Sequence, residues 1–157
     1  MTPTTMAFCS DILGAPCSGM YNSRRMKFHF VDQVVEQQED RIVTTKQICG
    51  DEDYLKDHFP TFPIMPGVLM LESMVQAASL MVSNAGSRQV LGEVRALKYG
   101  TMVKPGDQLK IEIQKIKSND DGSTTCKGVG TVSKKNSTGE TQTAVAGRFT
   151  IRPVRMS

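Results

Sequence analysis

The chain has 157 residues, 39% hydrophobic and 22% charged, which suits one soluble domain with one core of ordinary size. Nineteen Lys and Arg stand against sixteen Asp and Glu, an excess too small to argue for nucleic acid as a partner. No stretch is long and apolar enough for a membrane span, and Cys9, Cys17, Cys49 and Cys126 show neither CxxC nor a histidine at ligand spacing. Neither metal nor disulfide is therefore expected, and a reducing, cytoplasmic compartment is the default.

Residues 1–25 read as an irregular extension ahead of a single domain over 26–157. They lack the basic start and continuous apolar core of a signal peptide, and Pro16 is misplaced for a lipoprotein cysteine. A strand is expected near 27–36, a second near 40–49, and a short helical turn at 52–56. His29, between Phe28 and Phe30 on the first strand, reads as a surface or interface residue.

The next stretch, DHFPTFPIMPG, carries prolines at 60, 63 and 66, each fixing its own φ and pushing its predecessor out of helical geometry. His58 therefore sits on a stiff, extended connector. Gly67 lets the chain approach a ligand without a Cβ in the way, and the free N–H groups of the helix that follows suit a carbonyl oxygen.

From Gly67 to Ala85 the sequence is apolar on nearly every side and stops at Gly86, so it is read as the central helix of the core. Glu72, Gln76, Ser79 and Ser83 stack on one narrow stripe, with only Ser73 off it. A carboxylate on so apolar a helix is either an exposed edge or a buried group with a task. Burial would let Glu72 hold a proton near neutral pH, and Gln76, one turn on, is placed to hydrogen-bond and orient it.

Four further strands are expected near 89–103, 107–118, 122–133 and 141–152. Breaker clusters separate them at Lys104-Pro105-Gly106-Asp107, Asn119-Asp120-Asp121-Gly122 and Asn136-Ser137-Thr138-Gly139. The last two alternate apolar and polar residues, so one side of the sheet should face water or a partner. The fold class is thus α+β, an antiparallel sheet wrapped around one long helix. Basic residues cluster at Arg24, Arg25 and Lys27, at Arg95, Lys98 and Lys104, and at Arg148, Arg152 and Arg155. Each is explained equally by a solvated surface or by steering of an acidic partner.

A lone loop histidine is usually a surface or packing residue, and a single helical glutamate is usually solvated. His58, three spaced prolines, Gly67 at a helix start, and Glu72 with Gln76 one turn on are hard to explain as packing. Together they read as an acid–base pair around one rigid loop.

The run HFPxxPIMPGVLxxExxxQ resembles the active-site signature of the (3R)-hydroxyacyl-ACP dehydratases of the FabZ type, members of the hotdog fold. FHFVDQVVE is similar to that family's first strand and VKPGDQLKIEI to its later turn and strand, so the resemblance spans roughly residues 24 to 152. It implies that His58 takes the α-proton of a 3-hydroxyacyl thioester and Glu72 protonates the departing hydroxyl, giving a trans-2-enoyl thioester and water without any cofactor. It also implies substrate contacts at Phe59, Phe62, Pro66, Gly67, Val68 and Gln76, with the Gly67 N–H polarising the thioester carbonyl. The partners implied are an acyl carrier protein bearing the hydroxyacyl chain and a second copy of the chain, since His and Glu of one site come from two subunits in this family. Trimers of dimers are common there.

Glutamate at position 72, rather than the aspartate of the isomerising sister enzymes, implies dehydration alone. The chain departs from the family pattern at Thr61 and Phe62, at SRRMKF before the first strand, and at LKYGTMV before the PGD turn. The alternatives left open are a hotdog thioesterase, which usually lacks the histidine loop, and a noncatalytic acyl-carrier binding protein with its pocket closed by Phe62.

Overall fold

A computed structural model of the chain describes residues 28–82, 88–134 and 139–155. The expected extension over 1–25, the basic cluster at Arg24, Arg25 and Lys27, Ser83, the helix stop at Ala85 and Gly86, and most of the Asn136–Gly139 turn lie outside those residues.

The elements in chain order are β1 (Gln33–Gln37), β2 (Arg41–Gln47), α1 (Asp53–Asp57), α2 (Gly67–Val82), β3 (Gln89–Tyr99), β4 (Gln108–Ser118), β5 (Thr124–Ser133) and β6 (Thr141–Pro153). The strands form one antiparallel sheet in the order β1-β2-β4-β5-β6-β3. Turn chemistry sets the connections. The Lys104–Asp107 turn places Gly106 at φ +92°, closes through Asp107 N–H to Lys104 O at 3.0 Å, and is braced by Lys104 N–H to Asp107 Oδ2 at 2.9 Å.

Helix α2 packs on one face of the sheet. Its buried side chains Met70, Met74, Ala77, Ala78 and Met81 meet Ile111 and Ile113 of β4, Cys126 of β5, and Phe149 and Ile151 of β6 in one cluster. One β5 glycine admits the close approach. A Cβ on Gly128 would lie 2.6 Å from Met74 Sδ, whereas one on Gly130 would lie 2.6 Å from Val145 Cγ1 of the neighbouring strand. The strands alternate as expected: Leu109, Ile111 and Ile113 are buried while Lys110 and Gln114 are exposed. Ser73, the one polar residue off the helix stripe, is fully buried and returns its hydroxyl to Leu69 O at 3.1 Å.

Three expectations change. The first strand begins at Gln33, not near 27, because the backbone of Phe28 and Phe30 is engaged by a helix side chain instead of a sheet neighbour. The third ends at Tyr99: it carries two irregularities in its pairing with β6 and has Ala96 at φ +53°, pressing Leu97 against Gly147. The cysteine expectation is also corrected, since Cys49 is disulfide-bonded. The absence of a CxxC spacing excludes only the local pairings.

Candidate active site

Helix α1 is a turn and a half long and ends on His58, which caps it with φ −126°. The chain then enters the proline-rich loop through a cis peptide between His58 and Phe59. Phe59 and Phe62 exchange backbone hydrogen bonds at 3.2 and 3.1 Å, and the Ile64 N–H donates to His58 O at 2.9 Å. In return His58 Nδ1 lies 2.9 Å from Ile64 O. A carbonyl oxygen can only accept, so Nδ1 carries the hydrogen and Nε2 is left with its lone pair. Met65 N–H to Val103 O at 2.8 Å ties the loop to the segment after β3. The imidazole is thus a base held in one tautomer, with the Phe59 ring stacked on it at 4.4 Å.

His58 lines a cleft of about 400 Å³ together with Gly67, Val68, Tyr99, Met102 and Ala144. Gly67 is the first residue of α2, so its N–H belongs to the unbonded set at the helix start. The Tyr99 ring lies over it so closely that a Cβ there would meet Tyr99 Cζ at 2.7 Å. Burial raises the Tyr99 hydroxyl's pKa, keeping it a neutral donor.

Glu72 stands elsewhere. Five residues after Gly67, it is turned by roughly 140° about the helix axis, and it does not line the His58 cleft. It is half-buried and accepts a hydrogen bond from Gln76 Nε2 at 3.2 Å, the contact expected from their spacing. The same Gln76 Nε2 reaches Phe28 O at 3.1 Å, and its Oε1 accepts from Phe30 N–H at 2.8 Å. Gln76 therefore pins the segment ahead of β1 against α2, a role that spacing along the helix did not reveal.

Of the expected substrate contacts, Gly67 and Val68 meet His58 in the cleft. Phe59, Phe62, Pro66 and Gln76 are not among its walls. Phe62 is half-exposed, with Lys104 Nζ 4.8 Å above its ring, so it stands outside the cleft and does not plug it. Tyr99, Met102 and Ala144 were missed. Tyr99 ends β3, Met102 lies in the segment after it and Ala144 stands near the start of β6, and no local pattern marks them.

The sequence profile of the ApeI-like family, described as ApeI dehydratase, matches residues 34–137. The chain belongs to the ApeI-like dehydratase family. Relatives of this chain include the 3-hydroxyacyl-acyl-carrier-protein dehydratases FabZ of Pediococcus pentosaceus, 40% identical over 56% of the chain and 62% of that protein, and of Lactiplantibacillus plantarum, 36% identical over 64% of the chain and 72% of that protein. The chain thus spans just under two thirds of the first and more of the second, and the FabZ resemblance of its motifs is borne out. Among solved structures, the dehydratase heterocomplex ApeI:P of Xenorhabdus doucetiae matches with a TM-score of 0.56, at 15% identity over 78% of the chain and 96% of that chain. The helix-on-sheet architecture is the hotdog fold.

Proposed function

We propose that the protein dehydrates (3R)-3-hydroxyacyl thioesters carried on an acyl carrier protein to trans-2-enoyl thioesters, as part of acyl chain biosynthesis. Membership of a dehydratase family and the kinship with FabZ enzymes supply the reaction class. The observation that carries the mechanism is the His58 hydrogen bond to Ile64 O, which engages Nδ1 and makes Nε2 the nitrogen free to act on a cleft that also holds the helix-start N–H of Gly67. His58 takes the α-proton, and the electron pair moves toward the thioester carbonyl, whose growing negative charge is met by the Gly67 N–H at the positive end of α2. Glu72, as general acid, delivers a proton to the β-hydroxyl, which leaves as water.

Glu72 and His58 of one protomer do not share a cavity, so each site is completed by the Glu72 of a second copy. The working unit is a homodimer, with trimers of dimers as a further step of assembly. The acyl carrier protein is acidic, and the exposed Lys98, Lys104 and Arg148 face outward to receive it; Arg95 is engaged by Glu93 at 2.8 Å. Residues 26–157 constitute the working domain. Among the described residues no helix is long and apolar enough to cross a membrane. The proposed location is the cytoplasm, and it rests on the substrate class alone.

Incubating the protein with a crotonyl thioester tests this by the reverse reaction. Loss of the enoyl absorbance without release of free thiol is the expected result, and thiol release in its place would make the protein a thioesterase. His58→Ala and Glu72→Gln should each lower the hydration rate by about 10²-fold or more with the fold intact. A variant keeping most of the rate would remove that residue from the mechanism.

A further inference from the structure

Lys46 on β2 is buried, with only 9% of its surface exposed. Its Nζ lies 3.0 Å from Glu52 Oε1 and 3.4 Å from Asp32 Oδ1. These two carboxylates stand on different parts of the chain. Glu52 is the N-cap residue of α1, yet its side chain makes no capping hydrogen bond, so it is turned toward Lys46 instead. Asp32 ends the segment that precedes β1, where its Oδ2 also accepts from Gln47 N–H at 2.8 Å and its own N–H donates to Thr45 O at 2.9 Å. Tyr54, on α1, packs its ring 6.0 Å from Phe30 and bridges the same two parts. Its hydroxyl is buried without a well-formed hydrogen bond, and burial first, then the Glu52 charge, keeps it protonated.

Each part leads to one arm of the site. Helix α1 runs from Glu52 to His58, and a helix of that length does not hold itself in water. The segment at 28–32 leads through Phe30 to Gln76 and so to Glu72. We propose that Lys46 is a positioning residue for both arms: through Glu52 and α1 it fixes His58, and through Asp32 and the segment at 28–32 it fixes Gln76 and Glu72. A buried ion pair is a weak source of stability, because desolvation offsets most of the attraction. What this one supplies is geometry, since it joins two elements that no sheet hydrogen bond joins. The role of Lys46 rests on the reading of His58 and Glu72 given above. In a dimer completed across chains, one Lys46 supports the base of one site and the acid of the other.

The test uses the full chain with Lys46→Met, Lys46→Arg and Glu52→Gln, each checked for folding by thermal melt. Two readouts are taken: steady-state hydration of a crotonyl thioester, and the nitrogen-15 spectrum of the imidazoles. The chain has only two histidines, so His58 is assigned by difference from a His29→Asn background. The wild type should show His58 protonated at Nδ1. Glu52→Gln should show mixed tautomers, with kcat lowered roughly tenfold and KM held within about twofold, as loss of positioning requires. Lys46→Arg should retain most of the rate. A folded Glu52→Gln protein with the wild-type His58 spectrum overturns the proposal whatever its rate, and so does a fall in rate that lies wholly in KM. If Lys46→Met does not fold, Glu52→Gln decides alone. If the wild type hydrates nothing, the proposed function fails, while the imidazole spectrum still decides whether the Lys46 cluster holds His58.

Discussion

Gly67 is where the helix start, the cleft and Tyr99 meet, so a single methyl there separates stability from chemistry. Alanine favours a helix over glycine by roughly 1 kcal/mol, and the atoms it would strike are the outer ring atoms of a half-exposed tyrosine that can swing aside. Gly67→Ala should therefore leave the melting temperature within a few degrees while lowering kcat/KM about tenfold or more, because Tyr99 is displaced across the cleft. Gly67→Ala combined with Tyr99→Ala should recover part of that loss, and kinetics on the two variants check it. Cys126 makes a second case. It is fully buried and its thiol is pushed up to about 11 by burial, so it stays protonated and unreactive at neutral pH. Iodoacetamide at pH 8 should spare the peptide containing Cys126 in the native protein and label it after unfolding, as read by mass spectrometry. At this scale the sequence places His58 on the loop and Gly67 and Glu72 on the helix, because proline spacing and helical stripes are local. It was not readable for Tyr99 or Lys46, whose partners are distant in the chain: Tyr99 meets Gly67, and Lys46 meets Asp32.

Elements followed from pattern wherever periodicity was strong. The alternation in KIEIQKIK and the apolar run after Gly67 locate β4 and α2 within a residue or so at their starts. The first strand was misplaced because FHFVDQVVE has the composition of a strand, while its opening residues spend their backbone groups on Gln76. The β3 irregularities were equally silent, since Ala96 gives no turn signal although its φ is positive. The contact of α2 with the sheet depends on Gly128, whose added Cβ would meet Met74 Sδ at 2.6 Å, Ile113 Cδ1 at 3.0 Å and Phe149 Cε1 at 3.2 Å. All three neighbours are buried and have little room to give. Gly128→Ala should cost about 1–3 kcal/mol by overpacking, measured as a fall in the denaturant midpoint at unchanged slope.

For the whole molecule, the proposed mechanism turns on one geometric fact, the separation of Glu72 from the His58 cleft. His58 lies on the loop ahead of α2 and Glu72 on α2 itself, and Glu72 is absent from the walls of the His58 cleft. A protomer alone would hold a base without an acid on one side and an acid without a base on the other. Activity should therefore depend on association, and on association in which the copies exchange these residues. The measurement that tests this most directly is complementation between two inactive proteins. His58→Ala and Glu72→Gln protomers, separately inert, are unfolded together, refolded in equal amounts and assayed for hydration of a crotonyl thioester. Each mixed dimer then holds one site with both changes and one with neither, so roughly a quarter of the wild-type rate should return by random pairing. Mixed dimers that form and remain as inert as their parents would contradict a site shared between two chains.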